Sequence, residues 1–188
     1  MIRAITGDIT KLRDVEVIVN AANGIGVMGA GVAGAIARSG GEKFREEVRS
    51  FGQEKGPFEP GSVYETDSGL MKRVGIKNVY HAVTMKYPGT QSSIDSVVQA
   101  VRNACRKAIE DERESIAFPG LGTGIGQLDR KQVAQRMTTC LLEYQSRISI
   151  TVIDIDSSFI SLIRDALGID RETTDDFIKP EQADVGVE

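Results

Sequence analysis

A chain of 188 residues, 40% hydrophobic and 27% charged, has the size and composition of one soluble globular domain with a full core, or of one domain and a tail. No apolar run approaches the roughly 18 residues a membrane span needs, and Met1-Ile2-Arg3-Ala4 lacks a signal-peptide layout, so no membrane partner is expected and the expected location is cytoplasmic. The net charge of −4 is concentrated in residues 170–188, where seven acids stand against two bases, leaving the first 169 residues near +1; without a basic stripe, duplex nucleic acid is a poor candidate partner.

Apolar periodicity in chain order predicts alternating strands and helices. Ile2–Ile5 and Val17–Asn20 read as strands, Val32–Arg38 as a short helix, and Lys43–Phe51 as a second helix with Phe44, Val48 and Phe51 on one face. A polar loop over Gly52–Gly61 precedes two β-branched and aromatic runs, Ser62–Thr66 and Asn78–Val83, which read as strands. Ser93–Asp111 carries the i, i+3, i+4 stripe of an amphipathic helix (Val97, Val98, Val101, Ala104, Cys105, Ala108), and Ser115–Phe118 is a short buried strand. Asp129 reads as the N-cap of the next helix, with Gln132 at the capping-box position. Ile148–Ile155 is the strongest strand pattern, and Ser157–Leu167 closes the domain as a helix. Such alternation makes an α/β layered sheet with helices on both faces. Beyond Gly168 the apolar pattern stops, so residues 169–188 are expected to form an acidic, disordered tail. Cys105 and Cys140, the only cysteines, fall on apolar helical faces and read as core residues rather than as a disulfide or metal site; no metal and no cofactor is expected.

Two glycine-rich loops lie where a strand ends and a helix begins. Val17–Asn23 runs into Gly24-Ile25-Gly26-Val27-Met28-Gly29-Ala30-Gly31-Val32-Ala33-Gly34, and Ile116–Pro119 runs into Gly120-Leu121-Gly122-Thr123-Gly124-Ile125-Gly126. Glycine lets backbone N–H groups approach a ligand with no Cβ in the way, and a helix N-terminus adds positive potential. One such loop cradles one phosphate; a pair suggests a diphosphate gripped from both sides. Alone, either loop could simply turn the chain. Gly24-x-Gly26-x-x-Gly29 and Gly29-x-Gly31-x-x-Gly34 both satisfy the dinucleotide-fold pattern, but the segment where that fold places its second strand and acid is helical here. No Gly-Lys-Ser/Thr follows either loop, which excludes a P-loop nucleoside triphosphatase.

The order and spacing of Gly7-Asp8-Ile9-Thr10, Val17–Asn23, Gly29–Ile36 and Phe118–Gly126 resemble the macro domain family over about residues 1–168. The resemblance implies a three-layer α/β/α fold around a central mixed sheet, with an ADP-ribose cleft at the strand ends. The activities it brings with it are recognition of ADP-ribose or an ADP-ribosylated partner, removal of ADP-ribose from modified macromolecules, deacetylation of O-acetyl-ADP-ribose and hydrolysis of ADP-ribose 1″-phosphate. By the same resemblance, Asp8 accepts a hydrogen bond from the adenine amine and the Ile9 N–H donates to a ring nitrogen. Gly29, Ala30, Gly31 and Val32 line one side of the diphosphate, and Gly122, Thr123, Gly124, Ile125 and Gly126 the other. Asn23, with Asn20 beside it, meets the distal ribose, and Asn23 is the one candidate catalytic residue; Ile155 stands where the family carries an adenine-stacking aromatic, with Phe159 one turn on. Both asparagines, and Asp8, could instead serve only to tie down backbone.

Two departures bear on catalysis. Ala33 stands where one hydrolase branch keeps an acid, and Gly126 where a second branch keeps an aspartate and other members an aromatic. No general base is evident in either loop, which points to a slow hydrolase of ADP-ribosyl esters or O-acetyl-ADP-ribose, or to a non-catalytic reader of ADP-ribose or poly(ADP-ribose). His81, the only histidine, reads as structural; Thr84, Lys86 and Tyr87 are expected to border the cleft.

Overall fold

The computed structural model describes residues 1–124 and 126–169; residues 170–188 of the expected tail and Ile125 lie outside the described residues. Among the described residues six strands form one sheet: β1 (Ile2–Thr6), β2 (Val17–Asn23), β3 (Val63–Asp67), β4 (Asn78–Met85), β5 (Ser115–Phe118) and β6 (Ser149–Asp154). Five helices accompany them: α1 (Gly31–Gly40), α2 (Glu42–Lys55), α3 (Ile94–Glu110), α4 (Arg130–Leu142) and α5 (Ser157–Leu167). Two 3-10 turns, Ile9–Lys11 and Gly69–Val74, fall in segments where apolar periodicity gives no signal.

The strand order is β1-β6-β5-β2-β4-β3, parallel throughout except for β3, which pairs antiparallel with β4. The sheet is therefore mixed, with a parallel centre buried on both sides, and the central strands read as nearly continuous apolar runs for that reason. Alternate side chains enter separate cores. Val17, Val19, Tyr80, Phe118 and Val152 pack with α3, α4 and α5 on one face. Ile18, Val79, Ala117 and Ile153 pack with Ile36 and Ala37 of α1 and Phe44 and Val48 of α2 on the other. Cys105 and Cys140 are buried free thiols in the first core.

The caps are where the sequence places them. Ser93 Oγ accepts from the Ser96 N–H at 3.1 Å and Asp129 Oδ1 from the Gln132 N–H at 2.8 Å. Two boundaries differ by three residues or more. The polar run Asn20–Asn23 remains in β2, because β4 runs alongside it as far as Met85, with a register shift between Ala22 and Asn23. Helix α2 continues past Phe51 to Lys55 because Gly52, read as a loop residue, is a contact surface. A Cβ there would lie 2.5 Å from the Ile25 carbonyl oxygen and 2.6 Å from the Gly26 nitrogen, so α2 lies directly against the first glycine loop. Gly52→Ala, which in an open helix stabilises by about 1 kcal/mol, should here lower the unfolding free energy, as read by urea denaturation; an unchanged or raised midpoint would disprove the contact.

Candidate functional site

The strand order creates a crevice. From β5 the chain leaves through the second glycine loop to α4 on one face of the sheet, and from β2 through the first loop to α1 on the other. Adjacent strands whose connections diverge in this way open a cleft at their carboxyl ends. It holds about 840 Å³. Along the sheet edge it runs from Asp8 and Asp154–Asp156, at the ends of β1 and β6, past Gly120, Gly122, Thr123, Gly124 and Gly126 after β5, to Asn23 and Val27 at the end of β2 and Thr84, Met85 and Pro88 at the end of β4.

Asp8, Ile9, Asn23, Gly29, Ala30, Gly31, Val32, Gly122, Thr123, Gly124, Gly126 and Ile155 all line this one cleft. Its middle is built of unused donors. The N–H groups of Gly29, Ala30, Gly31, Val32 and Ala33 on one wall, and of Gly122, Thr123, Gly124 and Gly126 on the other, have no partner among the described residues. Those of Gly31–Ala33 are the orphan donors of the α1 N-terminus, where the helix dipole adds positive potential. A Cβ on Gly29, Gly31 or Gly124 would meet nothing within 4 Å, so these glycines leave room for a ligand rather than for protein. Two facing rows of bare N–H groups fit an anion with two charged ends or a diphosphate.

At the β1–β6 end the carboxylates serve backbone. Asp8 Oδ1 accepts from the Thr10 N–H at 2.9 Å and its hydroxyl at 2.8 Å, capping the first 3-10 turn; no partner of Oδ2 is found among the described residues. Asp154 accepts from the Gly120 N–H through Oδ2 at 3.0 Å and from the Asp156 N–H through Oδ1 at 2.9 Å, while its carbonyl oxygen takes the Gly7 N–H at 2.9 Å. It thereby fixes the second loop, the β6–α5 turn and the Asp8 turn to one another. Asp156 caps α5, accepting from Ser158, and pairs with Arg130; the Ser158 hydroxyl holds its carboxyl below the usual range, with Arg130 adding to the effect.

At the β2–β4 end Asn23 closes the first loop. Its Oδ1 accepts from the N–H groups of Ile25 (3.3 Å) and Val27 (3.1 Å), and its Nδ2 donates to the Val27 carbonyl at 2.8 Å. The backbone-tying role and the place in the cleft thus coincide in one residue. No carboxylate or imidazole lines this end among the described residues.

Several expectations are corrected. Asn20 does not reach the cleft: it is buried, and its Nδ2 donates to His81 Nδ1 at 3.1 Å, because Asn20 and His81 are opposite each other in the β2–β4 register. Lys86 and Tyr87 do not line it, and Lys86 pairs with Glu59 outside; Thr84 does line it. Gly126, where other members of the family keep an aspartate or an aromatic, is closed in by its neighbours. It is buried, and a Cβ there would meet the Gly122 carbonyl oxygen at 2.7 Å and Ser92 Cβ at 3.0 Å, so this loop has no space for the larger residue seen elsewhere. His81 is structural, as read: it is fully buried, its Nε2 lies 2.8 Å from Thr66 Oγ1, and its ring stacks on Tyr64 at 4.5 Å. An amide Nδ2 can only donate, so Nδ1 accepts and Nε2 carries the proton; burial pushes the imidazole pKa down to about 3. Sequence reasoning missed Arg38, Arg130, Asp154 and Asp156 as lining residues. Arg38 was findable, since it follows Gly31 at i+7 and Ala35 at i+3 on the same face of α1.

Comparison with known proteins gives a consistent set of likenesses. A family model described as Macro domain matches residues 19–137. An uncharacterized protein of Aquifex aeolicus is 35% identical over 170 residues, 89% of this chain and 98% of that protein. An O-acetyl-ADP-ribose deacetylase of Cronobacter sakazakii is 34% identical over 147 residues, 78% of this chain and 79% of its own length. Among solved structures, the macrodomain of Thermus aquaticus DarG has a TM-score of 0.69 at 27% identity, covering 81% of this chain and 97% of that one. The Trypanosoma brucei macrodomain in complex with ADP-ribose has a TM-score of 0.73 at 22% identity, covering 89% and 69%, a likeness of fold.

Proposed function

The chain belongs to the macro domain family, and on that premise we propose that it binds ADP-ribose in the cleft and slowly removes the group carried on the distal ribose, as an ADP-ribosyl ester or as the acetyl of O-acetyl-ADP-ribose. The observation that carries the reading is the pair of facing N–H rows, on Gly29–Ala33 and on Gly122, Thr123, Gly124 and Gly126. They suit a diphosphate between them, with the adenine at Asp8 and Ile9 and the distal ribose at Asn23. Both a relative described as an O-acetyl-ADP-ribose deacetylase and a neighbour of like fold solved with ADP-ribose support it.

Asn23 bears the chemistry in this reading. Its amide holds Val27 and Ile25 in place, and the ligand's hydroxyls compete for the same donor and acceptor. With no base lining that end, hydrolysis relies on an oriented water, and losing general-base help typically lowers rates by about 10² to 10⁴. The lack of a carboxylate or imidazole near Asn23 among the described residues favours a second reading, a reader that binds ADP-ribose without turnover.

Calorimetry should rank ADP-ribose above AMP and NAD, with Kd in the micromolar range, about −7 to −9 kcal/mol. No binding at roughly millimolar ligand would overturn the assignment. Single-turnover assays on ester-linked and acetylated substrates then separate enzyme from reader. Asn23→Ala should lower turnover more than affinity, because an oriented hydroxyl or water matters most in the transition state. Background rates for the wild type on every substrate, with binding intact, would establish the reader.

A further inference from the structure

The Asp8 end of the cleft offers no aromatic face to a nucleobase. Phe159 is the one aromatic lining the cleft among the described residues, and it is 1% exposed. Ile155, 81% exposed on the β6–α5 wall, supplies a single apolar platform. Two cations line the cleft. Arg130 is taken by Asp156 and Ser158. Arg38 has neither a carboxylate partner nor a hydrogen bond among the described residues.

Arg38 comes from α1, which belongs to the layer with the 3-10 turn that Asp8 caps and packs against it; Ile155 stands in the turn from β6 to α5, and α5 belongs to the other layer. The side chain leans back toward the helix N-terminus, as helical side chains do. Its Nη1 lies 3.3 Å from where a Gly34 Cβ would be, so the missing side chain at Gly34 makes room for the guanidinium. A guanidinium is flat, delocalised and weakly hydrated, and it stacks on base faces as an ammonium does not. We propose that Arg38 is a specificity-determining residue that lays its guanidinium plane on the purine of the ligand, with Ile155 on the opposite face. The proposal rests on the reading above that places the adenine at Asp8.

Calorimetry on wild type, Arg38→Gln and Arg38→Lys, each with ADP-ribose, ADP and pyrophosphate, tests it. Arg38 is exposed on its helix, so both variants should fold; matching circular dichroism and melting temperatures check this. Arg38→Gln should weaken ADP-ribose and ADP alike by about 5-fold and leave pyrophosphate unchanged. Arg38→Lys keeps the charge without the plane and should behave like Arg38→Gln. Full recovery by lysine, an equal loss for pyrophosphate, or unaltered affinity in Arg38→Gln would each overturn the stacking role. If the wild type itself fails to bind ADP-ribose, the underlying reading falls instead.

Discussion

Gly29→Glu is expected to weaken ADP-ribose binding by about 100-fold or more while leaving the melting temperature near that of the wild type. A Cβ at this position meets nothing within 4 Å, and the backbone there lies outside the left-handed region, so a larger residue is accommodated without strain. The added carboxylate enters the row of N–H groups to which the proposed function assigns the phosphate, occupying the space and repelling the ligand's charge at close range. Gly31 is a poorer place for this test, since its φ of +57° would penalise any side chain. Calorimetry paired with a thermal melt reads both halves of the expectation. A Gly29→Glu protein that binds ADP-ribose within tenfold of wild type would place the diphosphate elsewhere.

The second large effect concerns pH. His81 is held neutral in the fold with its pKa pushed down to about 3 from 6.5, by burial. The unfolded chain therefore binds a proton that the folded chain refuses, and stability is full above about pH 6.5 and declines as the pH falls toward the folded value. Through the upper part of that window, from pH 6 to about 4.5, the unfolding free energy should fall by about 1.4 kcal/mol per pH unit on account of this one group. The chain has a single histidine, and the carboxyls of Glu16 and Asp67 are held below their ordinary range by hydrogen bonds from Lys77 and Lys72, so the stability they add is lost only as the pH falls into and below the ordinary carboxylate range, beneath most of this window. Urea denaturation across this window, on wild type and His81→Gln, checks the expectation. The variant should be less stable at neutral pH and should lack that slope; parallel slopes in the two proteins would mean that His81 already protonates within the fold.

Most of the architecture was legible because the elements bury apolar stripes of unmistakable period. Ser115–Phe118 and Ser157–Leu167 have the bounds their sequence predicts, and Asp129 caps α4 through the Gln132 N–H. What escaped was set by neighbours distant in sequence. The polar stretch Asn20–Asn23 stays a strand because β4 pairs with it, and Gly52 stays helical because the first glycine loop presses on it. At the site, the glycine rows could be named from the motifs, since backbone donors depend little on side-chain context. The separate fates of Asn20 and Asn23 could not, because only the register with His81 decides which of the two turns inward. Asp154 was invisible for a similar reason: its value lies in bonding Gly120 and Asp156 at once, a convergence of two chain segments.

A cradle of peptide N–H groups also bears on what the cleft ignores. Sites that hold phosphates with lysine and arginine draw in any polyanion, and their grip loosens as salt releases or restores counterions. Here the first 169 residues carry a charge near +1, and in the proposed binding mode the anion is met by fixed dipoles on Gly29–Ala33 and on Gly122, Thr123, Gly124 and Gly126. Such donors act only on a group small enough to enter between them. On the proposed reading, abundant RNA or DNA would compete little for the cleft, and selection among phosphates would follow shape more than charge.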